Sequence, residues 1–375
     1  MIYLDNSATT QIDEHVLEAM LPWLREDYGN ASSTHAYGRK ARVAVESARE
    51  EIASLINAHP AEVIFTSGGT ESNNTVLKSC VFESALVDSI VTSATEHHAI
   101  LYPTEEIQRT GVRSTILGVN QQGHISVDEL EQYDSKRTLV SIMHANNETG
   151  TVHRLREIRS TVPDAYLHTD AVQSFGKVPF DVAELGVDFA TFSAHKIHGP
   201  KGVGALFIKK GIDFKAHQQG GGQERNRRAG TEAVALIVGF QTAARIAHAS
   251  MQHFAEHTRA LTTSMRQQLI NSIPNIHINT PEVESLPNIL NVSFADAEHI
   301  DGDAILQIMD MKGIACSNGS ACVSGTMQPS HVLSAMGRAD AEAKAAVRFS
   351  LSKYTTHAEV TTAVTTLAEI LDQMR

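Results

Sequence analysis

The stretch FATFSAHKIHGPKGVGALFI (residues 189–208) holds two β-type runs, Phe189–Phe192 and Val203–Ile208, on either side of a polar turn. Four similar runs precede it, separated by helical stretches: Val63–Thr66, Ile90–Thr92, Leu139–Met143 and Tyr166–His168. Short apolar runs that alternate with helical patterns are typical of a parallel sheet covered by helices. The sequence therefore predicts an α/β fold whose large domain has a mostly parallel sheet.

The pattern changes near residue 250. A long helical stretch there precedes further short elements, predicted at Ile289–Phe294 (strand), Ala304–Met311 (helix) and Val347–Leu351 (strand). We predict a large domain over residues 12–250 and a smaller α+β domain formed by residues 1–11 and 251–375. In the large domain, a first helix is predicted over Asp13–Arg25, with Asp13 as its cap.

Composition and charge limit the classes of protein to which this chain can belong. The formal net charge is −12 over 375 residues, which disfavours a nucleic-acid backbone as the main partner. The longest uninterrupted apolar stretch, Ala233–Phe240, is far shorter than the roughly 18 residues of a membrane helix. The start at Met1 has no basic region followed by an apolar one. We expect a cytoplasmic protein without a membrane segment.

The polar turn at 193–202 carries the first candidate for chemistry. Lys196 follows a strand end beside hydroxyl and imidazole groups, so it could hold an aldehyde as a Schiff base. A solvated basic turn is the ordinary alternative. His195 and His198 could also suggest a metal pair, but no Cys, Asp or Glu accompanies them locally, and we predict no metal site.

Other strand ends carry polar side chains of the same kind. Ser67-Gly-Gly-Thr70 opens a helical stretch, where backbone N–H groups can close around an anion; a simple helix cap is the alternative. Asp170 ends a strand and would suit a protonated pyridine nitrogen, or it could cap a helix. His97 could stack on a flat ring or lie at the surface.

Three cysteines, Cys80, Cys316 and Cys322, form no disulfide framework. Small residues surround Cys322 in Asn318-Gly-Ser-Ala-Cys322-Val-Ser-Gly, which favours an exposed loop and an accessible thiol. Cys316 could be its disulfide partner, and Cys80 lies in an apolar helical stretch typical of a core.

Taken in order, these motifs resemble the cysteine desulfurases, in the class V aminotransferase branch of the fold-type I pyridoxal-phosphate enzymes. The resemblance runs along essentially the whole chain. Its motifs are Tyr3-Leu-Asp-Asn-Ser-Ala-Thr-Thr10, Gly29-Asn-Ala-Ser-Ser-Thr-His35, Thr66-Ser-Gly-Gly-Thr-Glu-Ser-Asn73, Asn146-Asn-Glu-Thr-Gly150, Ser193–Gly202, Gly220-Gly-Gly-Gln-Glu224, Arg228-Ala-Gly-Thr231, Gly319-Ser-Ala-Cys322 and Arg348-Phe-Ser-Leu351.

The resemblance implies pyridoxal 5′-phosphate as cofactor, with Lys196 bonded to its aldehyde. Thr70, Ser193 and His195 would hold the phosphate. Thr231 would join them from the neighbouring subunit of a homodimer.

It also implies the groups around the ring and the substrate. Asp170 would pair with the ring nitrogen, Gln173 with the ring hydroxyl, and His97 would stack on the ring face. Asn147 and Arg348 would bind the carboxylate of L-cysteine.

The implied reaction converts L-cysteine to L-alanine and leaves a persulfide on Cys322. Lys196, His97 and Cys322 are the implied catalytic residues. The sulfur would pass to an acceptor protein for iron–sulfur clusters or other thio-cofactors. A selenocysteine lyase or another class V enzyme is the alternative, and in an ordinary aminotransferase Cys322 would be incidental.

Overall fold

The computed structural model describes residues 1–319 and 328–374. Its strands are β1 (Ile2–Tyr3), β2 (Val63–Thr66), β3 (Ser89–Ser93), β4 (Arg113–Leu117), β5 (Thr138–Ser141), β6 (Tyr166–Asp170), β7 (Phe189–Ser193), β8 (Gly204–Ile208), β9 (Ile276–Ile278), β10 (Ile289–Phe294), β11 (Ile314–Ala315) and β12 (Val347–Ser350).

The α-helices are α1 (Glu14–Arg25), α2 (Ala36–Leu55), α3 (Gly69–Lys78), α4 (His98–Gln108), α5 (Leu155–Thr161), α6 (Val182–Leu185), α7 (Val234–Ser272), α8 (Gly302–Met311), α9 (His331–Ala335), α10 (Asp340–Lys344) and α11 (His357–Met374). Short 3₁₀ or π turns lie at Pro60–Glu62, Ser79–Glu83, Asp128–Tyr133, Ala194–Lys196, Glu224–Asn226 and Ala297–His299.

A seven-stranded sheet forms the centre of the large part of the chain, in the order β2-β8-β7-β6-β5-β3-β4. Strand β8 is antiparallel to both its neighbours, and the pairs from β7 to β4 are parallel. This confirms the predicted α/β class with a mostly parallel sheet.

Helices cover both faces of this sheet because successive strand residues face opposite ways. Leu139 packs in the apolar cluster that holds side chains of α3 and α4. The next residue, Val140, packs in the cluster that holds side chains of α1, α2 and α7. Continuous apolar runs are therefore buried on both faces, as expected of parallel strands.

The capping prediction for the first helix is confirmed. The Asp13 carboxylate accepts a hydrogen bond from the backbone N–H of His15 at 3.0 Å, and the helix begins at Glu14. Such a cap satisfies one of the N–H groups that a helix start leaves without an intrahelical partner.

Two smaller sheets are built from the chain ends. Strands β12, β10 and β9 form an antiparallel sheet, and β1 pairs in parallel with β11. An apolar cluster under them includes Leu4, Val292 and Phe349, together with side chains of α8 and α11. These contacts join residues from both ends of the chain.

Helix α7 crosses the predicted domain boundary at residue 250 without interruption. It packs against α1 and α2 at one end and contacts α11 at the other. By length and composition it could cross a membrane, a test that the core helices of soluble proteins also pass. The two-domain division stays a prediction.

Candidate active site

A cavity of about 450 Å³ lies at the carboxyl ends of the parallel strands. The loops that follow β2, β3, β5, β6 and β7 each contribute to its wall, and strand β12 and the N-terminal segment complete it. Nine of the predicted site residues line this one cavity: Thr70, His97, Asn147, Asp170, Gln173, Ser193, His195, Lys196 and Arg348. Ligands of open α/β sheets bind at this edge, because the loops there converge.

Lys196 ends the short turn that follows β7. Its amine donates hydrogen bonds to the backbone carbonyls of Ser7 and Ala8, the latter at 2.8 Å. Burial, together with the nearby Arg348 charge, lowers the pKa of Lys196 to about 8, although Asp5 and Asp170 act to raise it. A lysine with a lowered pKa provides more of the neutral amine that attacks an aldehyde near neutral pH.

Asp170 is buried at the end of β6, and its two carboxylate oxygens have different donors. The backbone N–H of Val172 donates to Oδ1 at 2.9 Å, and the Asn73 amide donates to Oδ2 at 2.6 Å. Both donors are neutral, so neither provides a cationic partner for this side chain.

The helix start at α3 provides an anion-binding turn. Gly69 and Thr70 are the first two helical residues, so their N–H groups have no intrahelical acceptor. Gly68, which precedes them, has φ = 145°, and a Cβ there would lie 3.7 Å from Ser193 Oγ. The ends of β2 and β7 lie close together here, and because Gly68 has no side chain, an anion has room to bind against the backbone N–H groups.

His195 lies beside this turn as a neutral imidazole. Burial, together with the charges of Lys196, Lys201 and Lys177, lowers its pKa to about 4. Its Nδ1 lies 3.2 Å from Thr9 Oγ1. The ring therefore contributes hydrogen bonding rather than charge.

His97 caps α4, which fixes its ring. The backbone N–H of Ala99 donates to His97 Nδ1 at 3.1 Å, so the neutral ring carries its proton on Nε2. Burial lowers the pKa of His97, although Asp170 raises it. Stacking of this ring on a cofactor stays a prediction.

Arg348 projects from β12 and is 4% exposed. Its Nη2 donates to Asp5 Oδ1 at 2.7 Å and to Ser317 Oγ at 2.8 Å. Its Nη1 donates to the Asn147 backbone carbonyl at 2.9 Å. The guanidinium is thus fixed in the cavity wall beside Asn147, as carboxylate binding requires.

Thr231 lies outside this arrangement. Thr231 is exposed and lines a separate small cavity near the end of β2, so the chain does not bring it to its own site. Cys322 lies outside the described residues. Cys316 is half-buried, and burial raises the pKa of its thiol to about 12. Cys80 is fully buried, as predicted.

Several cavity residues were missed by the sequence analysis. Asn73 orients Asp170, while Asp5 and Ser7 contact Arg348 and Lys196. Glu148 is buried, which raises its pKa to about 7, and its carboxyl accepts a hydrogen bond from Ser330 at 2.5 Å. These cavity residues belong to motifs that carry the family resemblance, but nothing local in the sequence shows which distant group each side chain contacts.

The cavity suits an aldehyde cofactor that carries a ring nitrogen and a phosphate. Its wall contains three buried polar atoms, Ser7 Oγ, Asn73 Oδ1 and Arg348 Nε, that have no partner among the described residues. The amine, the carboxylate and the anion-binding helix start lie on different strand ends, as the separate groups of such a molecule require. Among residues 1–319 and 328–374, no group of three His, Cys, Asp or Glu side chains is placed to hold a metal ion.

Comparison with known proteins shows relatives that match the whole chain. The family model for aminotransferase class-V matches residues 2–362. "Cysteine desulfurase IscS" of Dictyoglomus turgidum is 43% identical and aligns with all of this chain and 95% of its own length. "Cysteine desulfurase" of Nostoc sp. is 41% identical and aligns with all of this chain and 94% of its own length.

A solved structure entitled "NIFS-LIKE PROTEIN" superposes with a TM-score of 0.91 at 39% identity and covers 99% of both chains. Both the sequence relatives and this structure span the chain from end to end. The chain therefore belongs to the class-V aminotransferases and, within them, to the cysteine desulfurase family.

Proposed function

We propose that this protein is a pyridoxal-phosphate-dependent cysteine desulfurase that converts L-cysteine to L-alanine and places the sulfur on Cys322 as a persulfide. Family membership supports the reaction class. The observation that carries the proposal for this chain is one cavity faced by an amine of lowered pKa, a buried carboxylate and a buried guanidinium, those of Lys196, Asp170 and Arg348.

The cofactor's phosphate would lie at the start of α3, against the N–H groups of Gly69 and Thr70, with Ser193 and His195 beside it. When bound, pyridoxal phosphate supplies an aldehyde that bonds to an amine and a ring that accepts electrons from the adjacent carbon. Asp170 would hold the proton on the ring nitrogen, and Gln173 would bind the ring hydroxyl.

Arg348 and Asn147 would orient the substrate by its carboxylate. A fixed guanidinium binds a carboxylate through two hydrogen bonds and so sets which substrate bond faces Lys196. Lys196 would then remove the proton from Cα, which an amine of pKa about 8 can do at neutral pH. His97, held by its contact with Ala99, would stack on the ring face.

Sulfur transfer would use Cys322, which lies outside the described residues. Its thiolate would supply an electron pair to the substrate sulfur and form the S–S bond. The electron pair of the Cβ–S bond would stay with carbon, which takes up a proton to become the methyl group of alanine. An acceptor protein would then remove the persulfide sulfur for iron–sulfur clusters or other thio-cofactors.

We propose further that the enzyme works as a homodimer in the cytoplasm. Thr231 is exposed and does not face the cavity of its own chain, so it is free to contribute to the phosphate site of a neighbouring subunit. Sedimentation equilibrium would give the mass of the assembly, and a monomer at micromolar concentration would contradict this part of the proposal.

The decisive experiment measures alanine and sulfide from L-cysteine with a small thiol as reductant. We expect equal amounts of the two products from the purified protein and none from a Lys196→Ala variant. Lys201→Ala is the matched control, because Lys201 is an exposed lysine of the same turn. Transfer of the amino group to a keto acid without alanine or sulfide would show an ordinary aminotransferase instead.

A further inference from the structure

Lys177 is a buried lysine that the proposed reaction does not use. It lies in the turn that follows β6 and is 5% exposed. Gly176, just before it, has φ = 71°, and a Cβ at Gly176 would lie 2.8 Å from Ala247 Cβ. A glycine permits this tight reversal of the backbone against α7, and the reversal brings Lys177 towards the interior.

A chain of hydrogen bonds joins the Lys177 amine to that of Lys196. Lys177 Nζ donates to Gln173 Oε1 at 3.2 Å, and Gln173 Nε2 donates to the Ser7 carbonyl at 2.9 Å. The same carbonyl accepts from Lys196 Nζ. The Gln173 amide can rotate by a half-turn, and the donor from Lys177 fixes which end faces Ser7.

The two lysines are also close in space, since both line a second cavity of about 30 Å³. Burial, together with the positive charges of Lys196 and Arg348, lowers the pKa of Lys177 to about 7. Three other ionisable side chains face this corner: His195, His198 and Lys353. The Lys353 ammonium is paired with Asp13, whereas the charges acting on Lys177 are all positive.

We propose that Lys177 is a positioning residue for Lys196: through the Gln173 amide it fixes the carbonyl that receives the Lys196 amine, and while Lys177 is protonated its charge opposes that of Lys196. A neighbouring ammonium makes a lysine easier to deprotonate, which favours its reaction with an aldehyde. The catalytic meaning of this arrangement depends on the proposed function, whereas the link between the two amines does not.

A structural role and a positioning role predict opposite effects on stability. Burying an amine without a carboxylate partner is costly, so Lys177→Met, which keeps the length of the side chain, should raise the urea midpoint of unfolding. A fall in the midpoint together with unchanged Lys196 reactivity would show that Lys177 is structural and would overturn the proposal.

The direct test measures the reactivity of Lys196 itself. The full-length chain, freed of any bound aldehyde with hydroxylamine, is treated with trace acetic anhydride between pH 6 and 10, and acetylation of Lys196 is followed by peptide mass. We expect a midpoint near pH 8 in the wild type. The midpoint of Lys196 acetylation should be lower in Lys177→Arg than in Lys177→Met by at least about half a pH unit, because only the arginine keeps a permanent charge.

Equal midpoints in the two variants would refute the coupling. If Lys177→Arg does not fold, the wild type and Lys177→Met are compared at pH 6.5, where the wild type should be labelled roughly threefold faster at Lys196. Lys201→Met, an exposed lysine of the same turn, is the control and should leave the midpoint unchanged.

A separate arm tests the proposed function. Pyridoxal 5′-phosphate is added to each protein, and its attachment to Lys196 is followed by absorbance and by borohydride reduction with peptide mapping. No attachment in the wild type would contradict the proposed cofactor but leave the acetylation comparison intact. Attachment in the wild type with identical acetylation curves in all variants would contradict the role of Lys177 alone.

Discussion

The substitution Asp170→Asn should separate the charge of this side chain from its place in the fold. In the structure Asp170 Oδ1 accepts from the Val172 N–H, and Oδ2 accepts from Asn73 Nδ2 at 2.6 Å. The new amide can keep its oxygen on Val172 but would then direct its NH₂ group at that of Asn73. Asn73 Oδ1 is buried and has no partner among the described residues, so a half-turn of the Asn73 amide would present this oxygen to the new NH₂ group and restore the bond between the two side chains.

The fold should therefore tolerate the change, with a free energy of unfolding within about 1 kcal/mol of the wild type. The charge, however, is lost. A hydrogen bond to a charged group contributes about 1.5–3 kcal/mol, so binding of pyridoxal phosphate should weaken roughly 10- to 150-fold. Alanine production should fall by at least about a hundredfold even at saturating cofactor, because the neutral amide cannot hold the proton on the ring nitrogen.

Three measurements test this reasoning on the same protein: the urea midpoint, an absorbance titration with pyridoxal phosphate, and alanine formed from L-cysteine. Asn73→Ala is the matched control, since it removes the neutral donor but keeps the carboxylate, and it should retain much more activity. Wild-type cofactor affinity and turnover in Asp170→Asn would refute the assignment of Asp170. A large fall in the urea midpoint would refute the amide rotation.

Three further predictions concern other parts of the chain. Arg348→Lys should raise the KM for cysteine at least about tenfold with a smaller change in kcat, because an ammonium cannot bind a carboxylate in two places; an unchanged KM in steady-state kinetics would contradict this. Burial lowers the pKa of His153 to about 3, so the fold holds it neutral while the unfolded chain takes up a proton near pH 6.5. The stability that the neutral His153 provides is therefore lost as the pH falls below 6.5. Between pH 7.5 and 5, the free energy of unfolding of His153→Gln should fall by about 2 kcal/mol less than that of the wild type. Urea midpoints of the two proteins that fall in parallel would disprove this. Finally, Cys316→Ser should retain most activity, because its buried thiol has a raised pKa, whereas Cys322→Ser should lose the persulfide detected by mass spectrometry; the reverse result would reassign the sulfur acceptor.

The strands that were predicted each depend on their own residues, whereas β1, β4, β9 and β11 were not predicted. Ile289–Phe294 has the predicted bounds, and the strand predicted over Phe189–Phe192 extends by one residue to Ser193. Continuous apolar runs of this length are buried on both faces, and the polar residue that follows marks the sheet edge. The positions of Lys196 and Asp170 at that edge follow directly from the strand ends.

Helix α7 shows where local patterns gave too little information. The sequence places its helical stretch at about 250–272, but the helix begins at Val234. Its first part is too uniformly apolar to show a helical period, because it packs in the core against α1 and α2 on several sides. Burial around the helix thus removed the signal by which a surface helix is recognised.

Two contacts of the site that the sequence did not predict, those of Arg348 and Lys196, depend on the N-terminal segment. Asn6 N donates to the Ser350 carbonyl at 3.2 Å, and Ser350 N donates to the Leu4 carbonyl at 2.7 Å, so the segment is attached to β12. Asp5 of this segment holds Arg348, while the Ser7 carbonyl receives Lys196 from the end of β7.

One short segment therefore sets the distance between the group proposed to bind the substrate carboxylate and the amine proposed to remove the Cα proton. These residues are far apart in sequence, and no periodicity or motif spacing encodes a contact across such a separation. A side chain that acts through this segment, as Lys177 does through Gln173 and Ser7, can alter Lys196 without touching it. The positions of the Lys196 amine and the Arg348 guanidinium thus depend on groups from both ends of the chain.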